Sequence, residues 1–287
     1  MPEFRPLSTN FGAEVTSLKL VAPFPSSLAG EIEAGMDRYG FCVIRCKQAV
    51  KDGDHLAFGR LLGPLMRQKM QQKVSGLGIR LSTDELIDVG NLDENGNIHA
   101  QDDPRRAFHK GNLLWHSDVT FDAIRATYSI LAAHVIPMHG ADTEFADMCG
   151  AYAALPNEMK TQIAGIQAEH SIWYSRTIGG MHEVSDKIKA TRPPAVHSLV
   201  NVNPRTGKKS LYLASHASHI IGMSQSDGRG LLDKLVAHAT EPRFVFRHRW
   251  QVGDVVIWDN LQTMHRGVPF DDMKERRDMR RVTVLEK

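Results

Sequence analysis

The sequence predicts a mainly β fold with flanking helices, and three observations support this. Short runs of β-branched and aromatic residues recur along the chain, whereas amphipathic helical segments are few. No glycine-rich phosphate loop of either common pattern is present, which counts against a doubly wound nucleotide-binding sheet. No repeat occurs at the spacing of a solenoid. We therefore expect a β-sandwich or barrel decorated by helices.

The N-terminal part of the chain alternates strand and helix signals. FGAEVTSLKL predicts a strand, and GFCVIRC predicts a second, buried strand. SSLAGEIEAGMDRYG has a serine cap and a glycine stop, which are typical of a helix. KDGDHLAFGRLLGPL predicts another helix, ending near Gly63 and Pro64.

Two segments look irregular. Residues 66–112 are polar, weakly periodic and rich in Gly, Asn and Asp, and residues 175–197 are a second such excursion. Long segments of this kind inside a compact chain are usually functional lids or disordered loops. We treat both as loop excursions from a single domain that covers residues 1–287.

The second half of the chain carries the remaining strand signals. LLWHSDVTF, ATYSILAAHVI and GADTEFADM predict strands, and AYAALPNEMKTQIAGIQAEH predicts one amphipathic helix with a proline near its start. SLVNVNPRTGKKSLYLAS predicts a hairpin with Pro-Arg-Thr-Gly as its turn, and SQSDGRGLLDKLVAHAT predicts a helix. The tail from RFVFRHRW to RRVTVL predicts a strand, a turn, a strand, a loop and a strand.

Composition excludes several classes of partner. A formal charge of +2 over 287 residues gives no reason to expect binding to nucleic acid or to an acidic membrane surface. No signal peptide and no apolar run of membrane-spanning length is evident. Cys42, Cys46 and Cys149 form no CxxC pair, which fits reduced thiols and a cytoplasmic location.

The stretch LLWHSDVTF places polar groups in an apolar, β-prone run. In a strand, His116 and Asp118 would lie on the same face, although such a pair alone is more often structural. WDNLQTMHRG adds His265 from a distant part of the chain. Two imidazoles and one carboxylate suit the facial triad of non-haem Fe(II) oxygenases, whereas a structural zinc site would close four positions. These residues alone leave a catalytic zinc or manganese site open.

The C-terminal stretch RRDMRRVTV is the second feature with chemical meaning. Period two places Arg277, Met279 and Arg281 on one face of a strand. Guanidinium groups that face a core are costly unless anions pair with them, and each can bind a carboxylate in a bidentate way. The alternative is that these arginines form surface ion pairs with nearby acidic residues.

Together these stretches resemble the taurine dioxygenase (TauD/TfdA-like) family of Fe(II)- and 2-oxoglutarate-dependent dioxygenases. Within the family the chain is most similar to the 2,4-dichlorophenoxyacetate (2,4-D) branch. The similarity is carried by LWHSDVTF, GADTEFADM, LYLASHASHIIGM, FVFRHRWQVGDVVIWDN, MHRG and RRDMRR, and LAFGRLLGPL extends it towards the N-terminus. The resemblance implies a double-stranded β-helix (jelly roll) core, with Fe(II) as cofactor and 2-oxoglutarate and O2 as co-substrates. It implies three iron ligands: His116, Asp118 and His265.

The resemblance also implies residues for the two organic ligands. Thr143 in GADTEF and Arg277 would hold the distal carboxylate of 2-oxoglutarate. Arg276 is the alternative to Arg277, because the loop after MHRG is one residue longer than expected. Arg281 would meet the acidic group of the primary substrate. His216 would line the substrate pocket, unless it only caps a turn through hydrogen bonds.

The implied reaction hydroxylates the carbon next to the acid group of an aryloxyalkanoate such as 2,4-D. Its products would be a phenol, glyoxylate, succinate and CO2. One alternative is a sulfonate or alkyl sulfate dioxygenase of the same family. Alternatives from other classes are a zinc-dependent hydrolase and a non-catalytic protein that senses a small carboxylate. We expect a small anionic substrate as the partner, and a homo-oligomer by analogy with the family.

Overall fold

The computed structural model describes residues 1–68, 80–81, 83–182 and 185–287. The strands in these ranges are β1 Glu3–Pro6, β2 Ala13–Thr16, β3 Phe41–Arg45, β4 Ile87–Asp88, β5 Ala126–Val135, β6 Thr143–Asp147, β7 Gln167–His170, β8 Ala195–Ser198, β9 Val200–Val202, β10 Lys209–Leu211, β11 Ala217–Ile220, β12 Val245–His248, β13 Asp254–Asp259, β14 Thr263–Gly267 and β15 Asp278–Leu285. The helices are α1 Ser27–Tyr39, α2 Asp52–Leu62, α3 Pro104–His109, α4 Met148–Ala154, α5 Asn157–Ile163, α6 Ile172–Ile178, α7 Asp186–Lys189 and α8 Gln225–Ala239. Short 3₁₀ turns cover Lys110–Leu113 and Pro242–Phe244.

The largest sheet has the strand order β1-β2-β3-β13-β5-β15-β4 within the described residues. Its pairs are antiparallel apart from β2 with β3. Trp258 of β13 lies opposite Ser129 of β5, and Arg281 of β15 lies opposite Leu131. This register brings Ser129, Trp258 and Arg281 onto neighbouring strands. Ser129 and Arg281 belong to the site described below, and Trp258 lines the cavity next to it.

The outer face of this sheet is covered by helices. Alternate residues along β5, β13 and β15 point to that face, where Ile130, Ile257 and Val282 are fully buried. Helix α1 contributes Ile32 and helix α2 contributes Phe58 to the same apolar cluster. The predicted helices in the N-terminal part are therefore confirmed, and their role is to close this side of the core.

The inner face packs against smaller sheets. β6 lies between β12 and β14, and its Phe145 stacks on Phe41 of the large sheet with ring centroids 4.7 Å apart. Leu131 and Val256, the neighbours of the outer-face residues along β5 and β13, belong to this inner cluster. Behind the small sheets, α8 packs against β11, and its Leu232 belongs to the same apolar cluster as Met264 of β14 and Leu211 of β10. The structure is sheet-rich with several helices, as predicted.

The prediction of one strand over LLWHSDVTF is wrong. Only His116 forms a β-bridge, with His265, and the chain then turns through Asp118 to Phe121. Val119 has a positive φ of 60°, which a strand does not allow. The polar side chains of this stretch are buried by contacts with other segments rather than by a continuous ladder.

The single helix predicted over AYAALPNEMKTQIAGIQAEH is also wrong. The chain forms α4 and α5 and then the strand β7. Leu155 adopts an extended conformation because it precedes Pro156, and this ends α4. β7 pairs with β8 and β11, so tertiary pairing decides the structure of IQAEH.

The two predicted excursions contain regular elements. Residues 66–112 include β4, which pairs with β15, together with α3 and a 3₁₀ turn. Residues 175–197 include the end of α6, all of α7 and most of β8. Part of the first excursion, including Lys69 and Lys73, lies outside the described residues. In the part of the chain described here, no helix is long and apolar enough to cross a membrane.

Candidate active site

Two separate segments bring the three predicted metal ligands together. His265 lies on β14, and His116 forms a bridge with it through backbone hydrogen bonds of 2.9 and 2.7 Å. Their rings lie 4.2 Å apart between centroids. Asp118 follows two residues later, at the start of the turn, so its carboxylate faces both rings. The shared face predicted for His116 and Asp118 is present, although it is not produced by a strand.

The geometry of the triad suits a metal ion. Nε2 of His116 lies 3.9 Å from Oδ1 of Asp118, and Nε2 of His265 lies 3.7 Å from Oδ2. The three side chains are buried, and their potential ligand atoms all lie within 4.8 Å of one another. Nδ1 of His116 donates to the carbonyl oxygen of Leu114 at 2.7 Å, which leaves Nε2 with the lone pair that a metal needs.

Asp118 is held by hydrogen bonds from several elements. Ser129 of β5 donates its hydroxyl to Oδ2 at 2.7 Å. The backbone N–H of Asp118 donates to Oδ1 of Asn260 at 3.0 Å, and Nδ2 of Asn260 donates to Ser129 Oγ. Arg281 donates to Oδ1 of Asp118. Sequence reasoning missed Ser129 and Asn260, whose only signals were the alternation of β5 and the position of WDN before MHRG.

The charges of the triad suit metal binding. Burial raises the pKa of Asp118, but Arg281 and both imidazoles outweigh it and hold that pKa at about 2. Burial lowers the pKa of His116 and lowers that of His265 further. The triad therefore presents one carboxylate and two neutral imidazoles near neutral pH, which is the protonation state required for coordination.

A cavity of about 300 Å³, called the smaller cavity below, opens beside the triad. Arg277 and Thr143 both line it. Nη1 of Arg277 donates to the carbonyl oxygen of Val89 at 2.6 Å, whereas its buried Nε has no hydrogen-bond partner in the described ranges. Thr143 Oγ1 accepts from Trp250 Nε1 at 3.0 Å, so its hydroxyl hydrogen remains available to an anion. Arg276 is exposed and lies near Gly96 instead.

A cavity of about 1060 Å³, called the larger cavity below, is also lined by Arg281. Its wall includes the apolar side chains of Phe108, Phe121 and Ile172. Arg281 lines both cavities, and His109 does so as well. Met279 and Arg281 lie on β15, whereas Arg277 precedes this strand and the pairing is irregular between Asp278 and Met279. Both arginines nevertheless reach the wall of the smaller cavity, and Met279 packs in the inner cluster.

His216 lies next to His116 of the triad. Its Nδ1 hydrogen-bonds with Thr120 Oγ1 at 2.9 Å, and its ring meets Phe121 edge-on at 4.8 Å between centroids. Its ring lies 5.9 Å from that of His116. Neither cavity has His216 among the described residues of its wall. This placement supports the alternative of a hydrogen-bonded turn, and direct contact with substrate stays a prediction.

A buried His-Asp-His triad beside a cavity, on a sheet-rich scaffold, defines a class of metal-dependent enzyme with open coordination positions. The model for the family described as "Taurine catabolism dioxygenase TauD, TfdA family" matches residues 3–283, and the chain belongs to this family.

Similar proteins cover nearly the whole chain. An "Alpha-ketoglutarate-dependent 2,4-dichlorophenoxyacetate dioxygenase" of Cupriavidus pinatubonensis is 38% identical over 98% of this chain and 96% of its own length. An "Alkylsulfatase" of Acinetobacter baylyi is 31% identical over 98% of this chain and 84% of its own length. The crystal structure of AAD-2 in complex with Mn(II) and N-oxalylglycine superposes with a TM-score of 0.94 at 40% identity, covering 100% of this chain and 98% of that one.

Proposed function

We propose that this protein is an Fe(II)- and 2-oxoglutarate-dependent dioxygenase that hydroxylates the carbon next to the acid group of an aryloxyalkanoate such as 2,4-D. The observation that carries the proposal is the arrangement of the triad. Two imidazoles and one carboxylate lie together, and two cavities border Arg281. Arg277 in the smaller cavity and Arg281 in the larger one can each bind an acidic ligand.

The residues present fit a divalent metal. His116, Asp118 and His265 would hold Fe(II). Two of these ligands are oriented by hydrogen bonds, since Ser129 donates to Asp118 and His116 donates to the carbonyl oxygen of Leu114. Bound Fe(II) would supply the activation of O2 that side chains cannot perform. The residues themselves fix the ligand geometry, keep the imidazoles neutral and bury the site away from bulk water.

The smaller cavity suits 2-oxoglutarate. Arg277 would pair with its distal carboxylate through the guanidinium edge that includes the unpartnered Nε, and Thr143 would donate its hydroxyl to the same group. Burial lowers the pKa of Arg277 to about 10, so the side chain remains charged at neutral pH. Because its Nε is buried, an anionic partner stabilises the guanidinium more than it would at the surface.

The larger cavity suits the primary substrate. Arg281 would bind its acid group, and the side chains of Phe108, Phe121 and Ile172 would contact an aromatic ring. In the proposed reaction, one oxygen atom of O2 enters succinate and the other enters the hydroxyl group. 2-Oxoglutarate loses CO2, and the hydroxylated aryloxyacetate is a hemiacetal that collapses to a phenol and glyoxylate.

The second candidate is a dioxygenase of sulfonates or alkyl sulfates. The similarity to the alkylsulfatase of Acinetobacter baylyi favours it, because the same arginine could bind a sulfate group. A zinc-dependent hydrolase is disfavoured by membership of the dioxygenase family and gives Arg277 no role.

Other features of the protein belong to the same proposal. We infer a double-stranded β-helix core and one domain over residues 1–287, supported by the TM-score of 0.94 to a structure that this chain covers fully. A cytoplasmic location is supported by Cys42, Cys46 and Cys149, which are free thiols. Binding to a small anion rather than to nucleic acid is supported by the near-neutral net charge. Homo-oligomers are expected by analogy alone.

The test is a succinate assay. Anaerobically purified protein receives Fe(II), ascorbate and 2-oxoglutarate, and air is then admitted with an aryloxyacetate, a sulfonate or an alkyl sulfate. We expect succinate and phenol to form in equal amounts with the aryloxyacetate, and His116→Ala to form neither. Substrate-dependent succinate with an alkyl sulfate alone would favour the second candidate. No substrate-dependent succinate from any compound would overturn the proposal.

A further inference from the structure

Arg176 on α6 is a buried cation that contacts no carboxylate in the part of the chain that the structure describes. Its side chain is 8% exposed, and no hydrogen bond or ion pair joins its guanidinium to any residue in the described ranges. The other described arginines on the wall of the larger cavity each contact a carboxylate: Arg67 that of Glu85, Arg192 that of Asp122 and Arg281 that of Asp118. Burying an uncompensated guanidinium is costly, so its retention needs an explanation.

The surroundings of Arg176 hold the guanidinium in place. It lies over the ring of Phe108, with its Cζ 4.1 Å from the ring centroid. Gly111 provides the space on another side, because a Cβ atom at that position would lie 1.7 Å from Nη1. The ring and the glycine come from the same segment, α3 and the 3₁₀ turn after it. This segment therefore forms a support for the guanidinium but offers it no carboxylate.

The guanidinium faces the larger cavity near the triad. Arg176 lines that cavity together with Arg281. Burial lowers the pKa of Arg176 to about 10, with a further decrease from Arg281 and an opposing increase from Asp118. Arg281 is therefore close enough to repel Arg176, and an anion between them would relieve this repulsion. Phe121 and Ile172, on the same wall, provide apolar surface for the rest of a ligand.

We propose that Arg176 and Arg281 together form a two-arginine site for the oxyanion group of the substrate, with Arg176 as a specificity-determining residue. This inference rests on the proposed function and extends it to a residue on α6. The ligand class is an apolar molecule with one carboxylate or sulfate group. Arg281 already contacts the carboxylate of Asp118, whereas no carboxylate in the described ranges forms an ion pair with Arg176.

The experiment compares anionic and neutral ligands. Protein loaded anaerobically with Mn(II) and 2-oxoglutarate is titrated calorimetrically with 2,4-D, octyl sulfate and the neutral 2,4-dichlorophenoxyacetamide. The variants are Arg176→Gln and Arg176→Lys, and the control is Arg243→Gln, which removes an exposed arginine that pairs with Glu241. Thermal unfolding of each variant checks the fold.

Arg176→Gln is expected to weaken binding of the preferred anion about 10- to 100-fold and to change amide binding less than 3-fold, because one charge-assisted contact is lost. Arg176→Lys should recover part of the affinity. In turnover assays, Arg176→Gln should raise the substrate KM while leaving the co-substrate KM unchanged. Whether 2,4-D or octyl sulfate shows the larger loss identifies the oxyanion.

Two results would overturn the inference. An unchanged affinity for both anions would remove Arg176 from the site, and an equal loss for the anion and the amide would assign it a packing role against Phe108. Gly111→Ala provides a second route if Arg176→Gln folds poorly, since it displaces the guanidinium without removing it and should weaken anion binding alone. Wild-type protein that binds anions but forms no succinate would refute the proposed function while the titrations still decide the role of Arg176.

Discussion

Arg281 of β15 donates a hydrogen bond from Nη1 to Oδ1 of Asp118, so the arginine expected to meet substrate also contacts a predicted metal ligand. The contact joins the last strand of the large sheet to the turn after His116. Because Arg281 lines both cavities, the triad, the smaller cavity and the larger cavity meet at one side chain. The loss of Arg281 should therefore affect more than substrate affinity.

Arg281→Ala is expected to raise the KM of an anionic substrate about 10- to 100-fold, since a charge-assisted hydrogen bond is lost. It should also lower kcat, because the Asp118 carboxylate loses one of its hydrogen-bond donors. Arg281→Lys should restore part of the substrate affinity. Steady-state kinetics with varied substrate at saturating 2-oxoglutarate measure both constants. The matched control is Arg280→Gln on the opposite face of β15, which breaks ion pairs with Asp52 and Asp278 and should lower Tm without changing substrate KM.

Arg277→Gln and Arg276→Gln form a second matched pair. Arg277 is half-buried on the wall of the smaller cavity and its Nε has no partner among the described residues, whereas Arg276 is exposed. We expect Arg277→Gln to raise the co-substrate KM about 10- to 100-fold and Arg276→Gln to change it less than 2-fold. Varying the concentration of 2-oxoglutarate at fixed substrate gives both values. A large effect at Arg276 with none at Arg277 would show that the longer loop after MHRG shifts the motif by one position.

The sequence predicted the residues of the site better than it predicted their local structure. Charged and imidazole side chains are costly to bury, so their presence in apolar stretches indicated a site. The structure brings these side chains together as expected: His116, Asp118, His265, Arg277 and Arg281. The strand over LLWHSDVTF was wrong, since periodicity of two also fits a bridge followed by a turn. Backbone hydrogen bonds with His265 fix that conformation, and a local sequence pattern gives no information about so distant a partner.

The supporting residues could not be predicted for the same reason. In the sequence Ser129 is an ordinary strand residue, and only the tertiary structure shows that its hydroxyl lies beside Asp118. Arg176 lies in a segment that the sequence treated as an irregular excursion, and its importance comes from what surrounds it: Phe108, Gly111 and Arg281. Burial without a partner is a property of the tertiary structure, so no spacing in the sequence reveals it.

Ser129→Ala tests the support of the triad. The hydroxyl donates to Oδ2 of Asp118 at 2.7 Å, and residues that orient metal ligands in this way typically contribute 10- to 100-fold in metal affinity or activity. We therefore expect a decrease of about that size in Mn(II) affinity, measured anaerobically by electron paramagnetic resonance titration. The matched control is Ser210→Ala, a buried serine that donates to the carbonyl oxygen of Leu261. Equal Mn(II) affinities in the two variants would contradict this role for Ser129.

Asp259 and Asp278 predict opposite pH dependences of stability in the metal-free protein. Burial raises the pKa of Asp259 to about 6, so its contribution to stability is present below about pH 4, the unfolded value, and is lost as pH rises through 6. Burial also raises the pKa of Asp278, but hydrogen bonds from Arg80 and Arg280 outweigh it and lower that pKa to about 2. The contribution of Asp278 is therefore present above about pH 4 and lost as pH falls towards 2.

The Tm of Asp259→Asn relative to wild type should increase between pH 4 and 7.5, because the variant no longer titrates there. The relative Tm of Asp278→Asn should decrease between pH 2 and 4. Differential scanning fluorimetry with a chelator present measures both trends, and a Tm difference for Asp259→Asn that stays constant from pH 4 to 7.5 would show that its carboxyl group does not couple to folding.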